Sequence, residues 1–296
     1  MPNSRLSIVV VAVGGHHAMA RCLQSMAFQC GGPDTEVIVV GSRGDGVDAR
    51  LLDVIPNLQI VELAERLPIP RMRRLGWQKS HGDLIAFTED HCLVAPDWID
   101  QIRQAHERPH AAIGGSVRPA EQASLIGWAV YFCEYAAYLQ PRAGATRQLP
   151  GNNVSYTRAA LAIGSDLLEA GAWENLLHTR LQQAGLSLIA VPGITVYFQN
   201  QFSFREFIRL RFHYGRCYAG TRAQGMPMVY QRLFALGCLF LPMLLCFRMM
   251  VCAGRRTDYL GRWAIALPWI IAFTLAWSMG EAVGYLCGPG YSCRQA

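Results

Sequence analysis

Three side chains that can ligate a metal stand in a row near the end of a short apolar run. Glu89, Asp90 and His91 follow the run Leu84 to Phe87 in the stretch TEDHCLVAPDW. A buried strand gains nothing from ending on two acids and an imidazole, because burying an unpaired charge is costly. The three residues therefore form either an exposed polar turn or part of a site. As part of a site, one or two of them could hold a divalent cation.

Alternating strands and helices predict how these side chains are positioned. A β-branched run ending in Gly14-Gly15 predicts a first strand, and a helix pattern with Met19, Cys22, Leu23 and Met26 on one face follows it. Such alternation is typical of an α/β domain with an open, mostly parallel sheet that is covered on both faces. The predicted strands of the first half are residues 7–13, 36–40, 58–63 and 83–87, with a helix over residues 71–81.

Polar and glycine-rich loops follow three of these strands. They are residues 14–17, 41–46 and 89–91. In open parallel sheets, ligands bind beyond the carboxyl ends of the strands. The three loops are therefore expected to converge on one crevice.

The middle of the chain predicts a further strand and several helices. A strand is expected at residues 113–117, an aromatic helix at 128–138 and a glycine- and asparagine-rich loop at 150–156. A helix then starts near Trp173 and ends at Gly185, with Leu177 and Leu181 on one face. Closing strands are expected at residues 187–191 and 195–198.

The C-terminal third is too apolar for an ordinary soluble enzyme. The chain is 52% hydrophobic with a mean hydropathy of +0.17, and Leu233 to Phe247 and Trp263 to Gly280 contain no charged residue. We predict a catalytic domain over residues 1–200, an amphipathic interface helix over 201–228 and a membrane hairpin over 229–296. The hairpin comprises the hydrophobic runs 233–253 and 263–287, and spanning or re-entrant helices are both open alternatives.

Charge and cysteine content limit the partners and the compartment. The net charge is +6, and arginines cluster in residues 205–232, next to the hydrophobic runs. This favours an anionic membrane surface, and nucleic acid is not expected because no nucleic-acid motif is found. The ten cysteines include no C-x-x-C pair, so a disulfide framework is not expected and the catalytic domain is assigned to the cytoplasmic side of the cell membrane.

The ordered set of motifs resembles the inverting family 2 glycosyltransferases of the GT-A fold over roughly residues 6–200. The first strand and nucleotide loop of that family resemble residues 8–17. Its Arg-x-x-Gly helix followed by Gly-Asp is similar to Arg73, Gly76 and residues 82–83. Its metal motif, usually Asp-x-Asp, resembles residues 89–91, and its acceptor loop resembles residues 151–153. The resemblance implies a Rossmann-like GT-A sheet.

The resemblance also implies roles for individual residues. Glu174, ahead of the Leu-x-x-Arg-Leu pattern of residues 177–181, is implied as the base that takes the proton of the acceptor hydroxyl. His91 and Glu89 are implied as metal ligands, while Glu89 and Asp90 compete for the ribose. Imidazole favours Mn²⁺ over Mg²⁺. The implied donor-binding residues are Val13, Gly14, His16, Gly41, Asp45, Arg73, Glu89 and Asp90, and the implied acceptor-binding residues are Gly151, Asn152 and Asn153.

Simpler interpretations stay open for three of these residues. Glu174 is also a common type of residue at a helix N-terminus, where it favours the helix dipole. Arg73 either binds phosphate through its guanidinium group or is a solvated charge on a helix. His16 either contacts the nucleotide base or is merely solvated.

The chain also departs from the family pattern. Residues 14–17, Gly-Gly-His-His, replace the usual Thr-Tyr-Asn of the first loop, and Trp173 replaces a Glu. Gly41 stands where an Asp usually reads the base, with Asp45 further along the chain. These departures concern mainly the recognition of the donor base.

Together these features predict a membrane-associated hexosyltransferase. It would transfer a sugar from a nucleotide-diphospho-sugar to an acceptor hydroxyl, with inversion and with a divalent metal, Mn²⁺ or Mg²⁺. UDP-linked donors are favoured over GDP-linked ones, and membrane lipid and a lipid-linked acceptor are expected partners. The alternatives are a non-catalytic membrane scaffold of the same fold and a metal-dependent hydrolase of nucleotide-sugars.

Overall fold

The computed structural model describes residues 5–42, 55–65, 67–121, 123–255 and 257–294. Asp45 therefore lies outside the described residues. The chain divides into two compact units, of which the first comprises Met1–Ala120 and Tyr138–Gln199. The second comprises Glu121–Ala137 and Asn200–Ala296.

The first unit is built on one sheet. In the described part of the chain the sheet has nine strands in the order β3-β2-β1-β4-β8-β6-β9-β5, with β7 pairing to β9. The strands are β1 (Leu6–Val11), β2 (Thr35–Ser42), β3 (Leu58–Leu63), β4 (Leu84–Glu89), β5 (Cys92–Val94), β6 (Ala112–Pro119), β7 (Gly144–Thr146), β8 (Val154–Thr157) and β9 (Leu188–Phe198). Strands β3, β2, β1 and β4 are mutually parallel, whereas β8 runs antiparallel to both β4 and β6.

Helices flank this sheet and build the second unit. In chain order they are α1 (His16–Ala27), α2 (Ile69–Lys79), α3 (Trp98–Ala105), α4 (Leu125–Tyr135), α5 (Arg158–Ile163), α6 (Ser165–Glu169), α7 (Glu174–Gln183), α8 (Phe204–Arg222), α9 (Met228–Gly237), α10 (Leu241–Ala253) and α11 (Thr257–Cys287). Helix α4 and helices α8 to α11 belong to the second unit.

Burial of apolar strands against helices holds the first unit together. Every residue of β1 is buried, and α1 buries a face that includes Met19, Cys22 and Leu23. Helix α2 approaches the sheet closely at Gly76, where a Cβ atom would collide with the side chain of Val9. The glycine therefore sets how closely α2, which carries Arg73, packs on β1.

The predicted α/β class with a mostly parallel sheet is confirmed, with differences in detail. The two closing strands that were predicted separately form one strand, β9, whose pairing with β6 shifts register between Gly114 and Ser116. Strands β5, β7 and β8 were not predicted, because each has only three or four residues. Such short segments show too little periodicity to be recognised.

In the second unit, α8 packs along the second half of α11. Phe207 stacks edge-on against Phe273 with 4.7 Å between ring centroids, and Gly215 faces the backbone of Trp277. Arg211 is buried, donates to Glu134 Oε1 at 2.8 Å and lies 4.1 Å from the Trp277 ring centroid. The predicted amphipathic helix thus exists as α8, but the side with Phe207 and Arg211 contacts protein.

The predicted hydrophobic segments take two forms. In α11, residues 258–287 are long and apolar enough to cross a membrane. Helices α9 and α10 pass the same test only as a pair, and they are bent by 57° at the break between them. A bent pair fits a broken span or a re-entrant loop, so both alternatives stay open for this segment.

A disulfide joins Cys217 of α8 to Cys293, 76 residues later in the chain. Both cysteines lie in the second unit, outside the catalytic domain that was assigned to the cytoplasm, and this single pair was not expected from the sequence. The contact between α8 and the C-terminal segment brings them together, as the 3.0 Å contact of His213 Nδ1 with Ser292 Oγ illustrates. The spacing of cysteines along the sequence does not predict such a long-range pair.

Candidate functional site

The carboxyl ends of β1 and β4 are joined by the carboxylate of Asp90. Its oxygens accept hydrogen bonds from the backbone N–H groups of Val13, at 3.0 Å, and Gly14, at 2.8 Å. Burial raises the pKa of Asp90, although these backbone donors and nearby His91 act in the opposite direction. Asp90 therefore fixes the first loop against the end of β4.

The residues predicted to read the base are placed less favourably. Gly15 has a φ of +81°, a conformation suited to glycine, and α1 starts at His16, whose exposed ring packs against His17. Gly41 lies inside β2, opposite Glu62 of β3, and not in a loop beyond the strand. Pairing with β3 extends β2 past the predicted end, so the prediction of a loop at Gly41 is wrong.

Arg73 lies between two carboxylates that come from different elements. Its Nη2 donates to Glu89 Oε1 at 2.7 Å, and its Nη1 donates to Glu174 Oε2 at 2.9 Å. Burial would lower the pKa of Arg73, but Glu174 and Glu89 raise it above its ordinary value. The Arg73 side chain is 5% exposed, so the alternative of a solvated helix charge is excluded. Arg73 is a fixed cation that joins the end of β4 to the start of α7.

Glu174 is the more accessible partner of this trio. Its side chain is 25% exposed, compared with 7% for Glu89. A small cavity beside it is lined by Arg73 and Glu174 and by mostly apolar residues, among them Phe87, Leu168 and Leu177. Glu174 is therefore accessible to a ligand at the surface of the first unit, while the buried Arg73 holds its carboxylate through a hydrogen bond.

The predicted acceptor loop lies directly against this pair. The backbone of Gly151 is so close that a Cβ atom there would lie 2.6 Å from Glu174 Cδ. Asn153 is fully buried, and its amide donates to Ser116 O and Ile194 O and accepts from Trp98 Nε1. Asn153 thus anchors the loop, whereas Gly151 faces the carboxylate of Glu174.

Asn152 is the loop residue with an unused polar atom. It is 2% exposed, its Nδ2 lies 3.3 Å from the sulfur of Cys92, and its Oδ1 has no hydrogen-bond partner in the described part of the chain. A buried acceptor without a partner is unfavourable unless something else supplies a donor. Among the described residues, nothing supplies that donor.

The predicted metal can be tested against the donors that are present. Nε2 of His91 is buried, forms no hydrogen bond with any residue that the structure describes, and lies 3.4 Å from Glu89 Oε2. This separation suits two neighbouring ligands of one divalent cation. Within the described residues, no three His, Cys, Asp or Glu side chains are placed to hold a metal. The two donors fit a cation that completes its coordination with phosphate oxygens and water.

The sequence of the first unit matches a known family. A family model described as glycosyl transferase family 2 matches residues 7–162, more than half of the chain. The chain belongs to glycosyl transferase family 2. No curated protein sequence matches the chain.

A solved glycosyltransferase structure shares the fold of this family 2 member. The mannosyltransferase PcManGT from Pyrobaculum calidifontis, solved with GDP-Man and Mn²⁺, has a TM-score of 0.57 at 16% identity, and the match covers 96% of this chain and 87% of that chain. GalNAc-T7, solved with UDP, GalNAc and Mn²⁺, has a TM-score of 0.49 at 16% identity and covers 67% of this chain and 43% of that chain. At such identities the first match shows a shared fold, and the second adds no argument. The GT-A fold implied by the resemblance is confirmed.

Two contacts of the family 2 site were not predicted from the sequence. The bonds from Val13 and Gly14 to Asp90 depend on the parallel pairing of β1 with β4, in which Val11 lies opposite Glu89. The bridge from Arg73 to Glu174 joins residues 101 positions apart. The signal available for both was only the placement of these residues at strand and helix ends.

We expect Gly151→Ala to lower turnover by between about 10- and 100-fold without unfolding the protein. The added Cβ would lie 2.6 Å from Glu174 Cδ and 2.8 Å from Arg73 Nη1. Because both groups end flexible side chains, they would move apart and misplace the carboxylate. Turnover and the thermal unfolding midpoint would be measured. Gly31→Ala is the control, because a Cβ there would have no atom within 4 Å among residues 5–42, 55–65, 67–121, 123–255 and 257–294. Unchanged turnover in Gly151→Ala would contradict the placement of Glu174.

Stability of the first unit is expected to fall below neutral pH. Burial lowers the pKa of both His178 and His106 to about 4 from 6.5. Between these values the unfolded chain binds protons that the folded chain does not, so each histidine removes about 2 kcal/mol of stability by pH 5. Urea unfolding of the full chain at pH 7 and pH 5 would measure this loss. His178→Asn and His106→Gln should each flatten the pH dependence, whereas replacing the exposed His17 should not.

Proposed function

We propose that this chain transfers a hexosyl unit from a nucleotide-diphospho-sugar to an acceptor hydroxyl, with inversion at the anomeric carbon. The observation that carries the proposal is the placement of a partly exposed carboxylate, Glu174, across Arg73 from the cation-competent pair Glu89 and His91. A transferase needs both groups: the cation-competent pair would stabilise the leaving diphosphate, and the carboxylate of Glu174 would activate the acceptor. Family membership supports glycosyl transfer as the reaction class.

Glu174 is proposed as the base. Its carboxylate would accept the proton of the acceptor hydroxyl while that oxygen attacks the anomeric carbon and the bond to the diphosphate breaks. A single displacement of this kind inverts the configuration. The loop of Gly151 and Asn152 is proposed to hold the acceptor, because Gly151 contacts Glu174 and Oδ1 of Asn152 has no partner.

The donor is proposed to bind at the ends of β1 and β4. Glu89 and His91 would hold a divalent cation, Mn²⁺ in preference to Mg²⁺, which when bound neutralises the charge of the diphosphate. Asp90 shapes the donor loop through its bonds to Val13 and Gly14. His16, at the start of α1, is proposed to contact the nucleotide, with UDP-linked donors favoured over GDP-linked ones.

The acceptor is proposed to be lipid-linked, and the protein is proposed to reside at the cell membrane with its catalytic unit in the cytoplasm. Residues 258–287 can cross a membrane by length and composition, and exposed apolar side chains continue along α9 and α10. The exposed arginines Arg205, Arg209, Arg222 and Arg232 would face anionic lipid, consistent with a cytoplasmic side, whereas Arg211 is buried against Glu134.

Release of nucleoside diphosphate from a panel of UDP- and GDP-hexoses tests the proposal. The full chain in detergent with Mn²⁺ would be assayed with and without a membrane lipid extract, and labelled sugar would be sought in the lipid fraction. We expect release that requires the extract and label that moves into lipid. Release at the same rate without any acceptor would indicate a hydrolase instead. Binding without release in any condition would favour the scaffold alternative.

A further inference from the structure

The guanidinium of Arg73 is shared between the two halves of the site. One nitrogen donates to Glu89, where the donor is proposed to bind, and the other donates to the proposed base Glu174. One positive charge thus faces two carboxylates in a buried setting, with Arg73 itself 5% exposed. The trio carries one positive and two negative charges, so the two carboxylates are only partly neutralised, and Arg73 can keep Glu89 while a stronger anion takes the place of Glu174.

In the structure, one of the two carboxylate oxygens of the proposed base is already engaged. Oε2 of Glu174 already accepts a charge-assisted hydrogen bond from Arg73 at 2.9 Å. An oxygen engaged in this way is less available to an acceptor hydroxyl. Among the described residues, Arg73 is the only cation that forms an ion pair with Glu174. Loss of that one contact would therefore free the carboxylate.

A donor would bring a stronger partner for Arg73 to the correct end of the sheet. Guanidinium groups bind phosphate through paired hydrogen bonds, and a diphosphate carries more charge than one carboxylate. Glu89, the second partner of Arg73, lies at the end of β4 beside the proposed cation ligand His91. The diphosphate and Glu174 would therefore compete for the same guanidinium.

We propose that Arg73 couples donor binding to release of the base, by leaving Glu174 for the diphosphate when the donor binds. This inference rests on the proposed function. Arg73 is a positioning residue in this scheme, because it acts on the reaction through Glu174. In the free protein, Arg73 stays hydrogen-bonded to Glu174. Proton transfer from the acceptor hydroxyl to Glu174 therefore follows donor binding.

Competition for Arg73 has a thermodynamic signature that does not require turnover. If donor binding must break the Arg73–Glu174 contact, removing the charge of Glu174 strengthens nucleotide binding. Calorimetric titration of the full chain in detergent with UDP and with GDP, each with Mn²⁺, would measure this. We expect Glu174→Gln to bind the preferred nucleotide at least about fivefold more tightly than wild type.

Arg74, the neighbour of Arg73 on α2, supplies a matched control. Arg74 pairs with Glu169 at 3.0 Å, and the Glu169 side chain is 66% exposed. Glu169→Gln removes one carboxylate from an arginine next to Arg73, and it should leave nucleotide affinity within about twofold of wild type, because an exposed pair contributes little.

Two further variants separate a shared guanidinium from a general charge effect. Gly151→Ala keeps the charge of Glu174 but pushes it from Arg73, and it should also tighten nucleotide binding. In an Arg73→Lys background, Glu174→Gln should tighten binding less than about twofold, because an ammonium group cannot make the paired contacts of a guanidinium. If Arg73→Lys does not fold, the nucleotide affinity of Gly151→Ala still distinguishes a shared guanidinium from a general charge effect.

The outcomes are distinguishable from failure of the proposed function. If folded wild type binds neither nucleotide with Mn²⁺, the proposed function is overturned and this inference with it. If wild type binds and neither Glu174→Gln nor Gly151→Ala tightens binding, only the coupling is overturned. Tightening by Glu174→Gln that persists undiminished with Arg73→Lys would also overturn it.

Discussion

Glu174→Gln is expected to lower kcat by between about 10² and 10⁴, the range that a positioned general base contributes. Glutamine has nearly the same size and can keep a hydrogen bond to Arg73, so the fold of the first unit should persist. It cannot take up a proton, and an acceptor hydroxyl would have to attack without assistance. Nucleotide binding should not weaken, because the cation-competent pair Glu89 and His91 is untouched.

Turnover and nucleotide affinity must be measured on the same preparation to assign this loss. Initial rates of nucleoside diphosphate release give kcat, and calorimetry with UDP or GDP and Mn²⁺ gives the affinity. Glu169→Gln is the control, since the carboxylate of Glu169 pairs with Arg74, which lies on α2 next to Arg73. A Glu174→Gln variant that keeps more than about a tenth of wild-type kcat would remove Glu174 from the role of base.

Gly280→Leu is expected to destabilise the second unit by at least about 3 kcal/mol. A Cβ atom at residue 280 would collide with the backbone oxygen of Phe212 and approach the backbone nitrogen of Arg216 to 3.0 Å. Gly215 on α8 makes a matching close approach to the backbone of Trp277. Backbone atoms cannot rotate away, so α8 and α11 must separate along their length. Small residues at such crossings are what allow two helices to approach closely.

Thermal unfolding of the full chain in detergent, combined with limited proteolysis, would measure this effect. New cleavage sites should appear in α8 or α11 before the first unit unfolds. Gly261→Leu on the same helix is the matched control, because no atom of the described residues lies within 4 Å of a Cβ there. If Gly280→Leu is as stable as Gly261→Leu, the close packing of α8 on α11 is not present in the protein.

Much of the fold of the first unit was predictable from local pattern. The β-branched run of β1 and the acidic end of β4 are visible in the sequence and are confirmed as a strand and a strand end. Strand β8 was not, because its four residues, VSYT, have no distinctive period. Its antiparallel insertion between β4 and β6 is a property of the whole sheet.

The candidate site was predictable as a set of residues but not as a network. Residues 89–91 could be located, whereas the attachment of Asp90 to Val13 and Gly14 requires knowledge of strand order. The link of Arg73 to Glu174 spans 101 positions and arises from packing of α2 and α7 on one sheet. Cys217 and Cys293 were missed for the same reason. Long-range contacts of this kind leave no periodic trace in one sequence.

Metal-dependent nucleotide binding tests the central claim most directly. Calorimetry would titrate UDP and then GDP, each with and without Mn²⁺, into wild type, His91→Ala and the control His110→Ala. We predict that one nucleotide binds wild type and His110→Ala only when Mn²⁺ is present, and that His91→Ala weakens this binding by about 10- to 100-fold. Absence of binding of either nucleotide to folded wild type, or binding that His91→Ala leaves unchanged, would contradict a donor site at the end of β4.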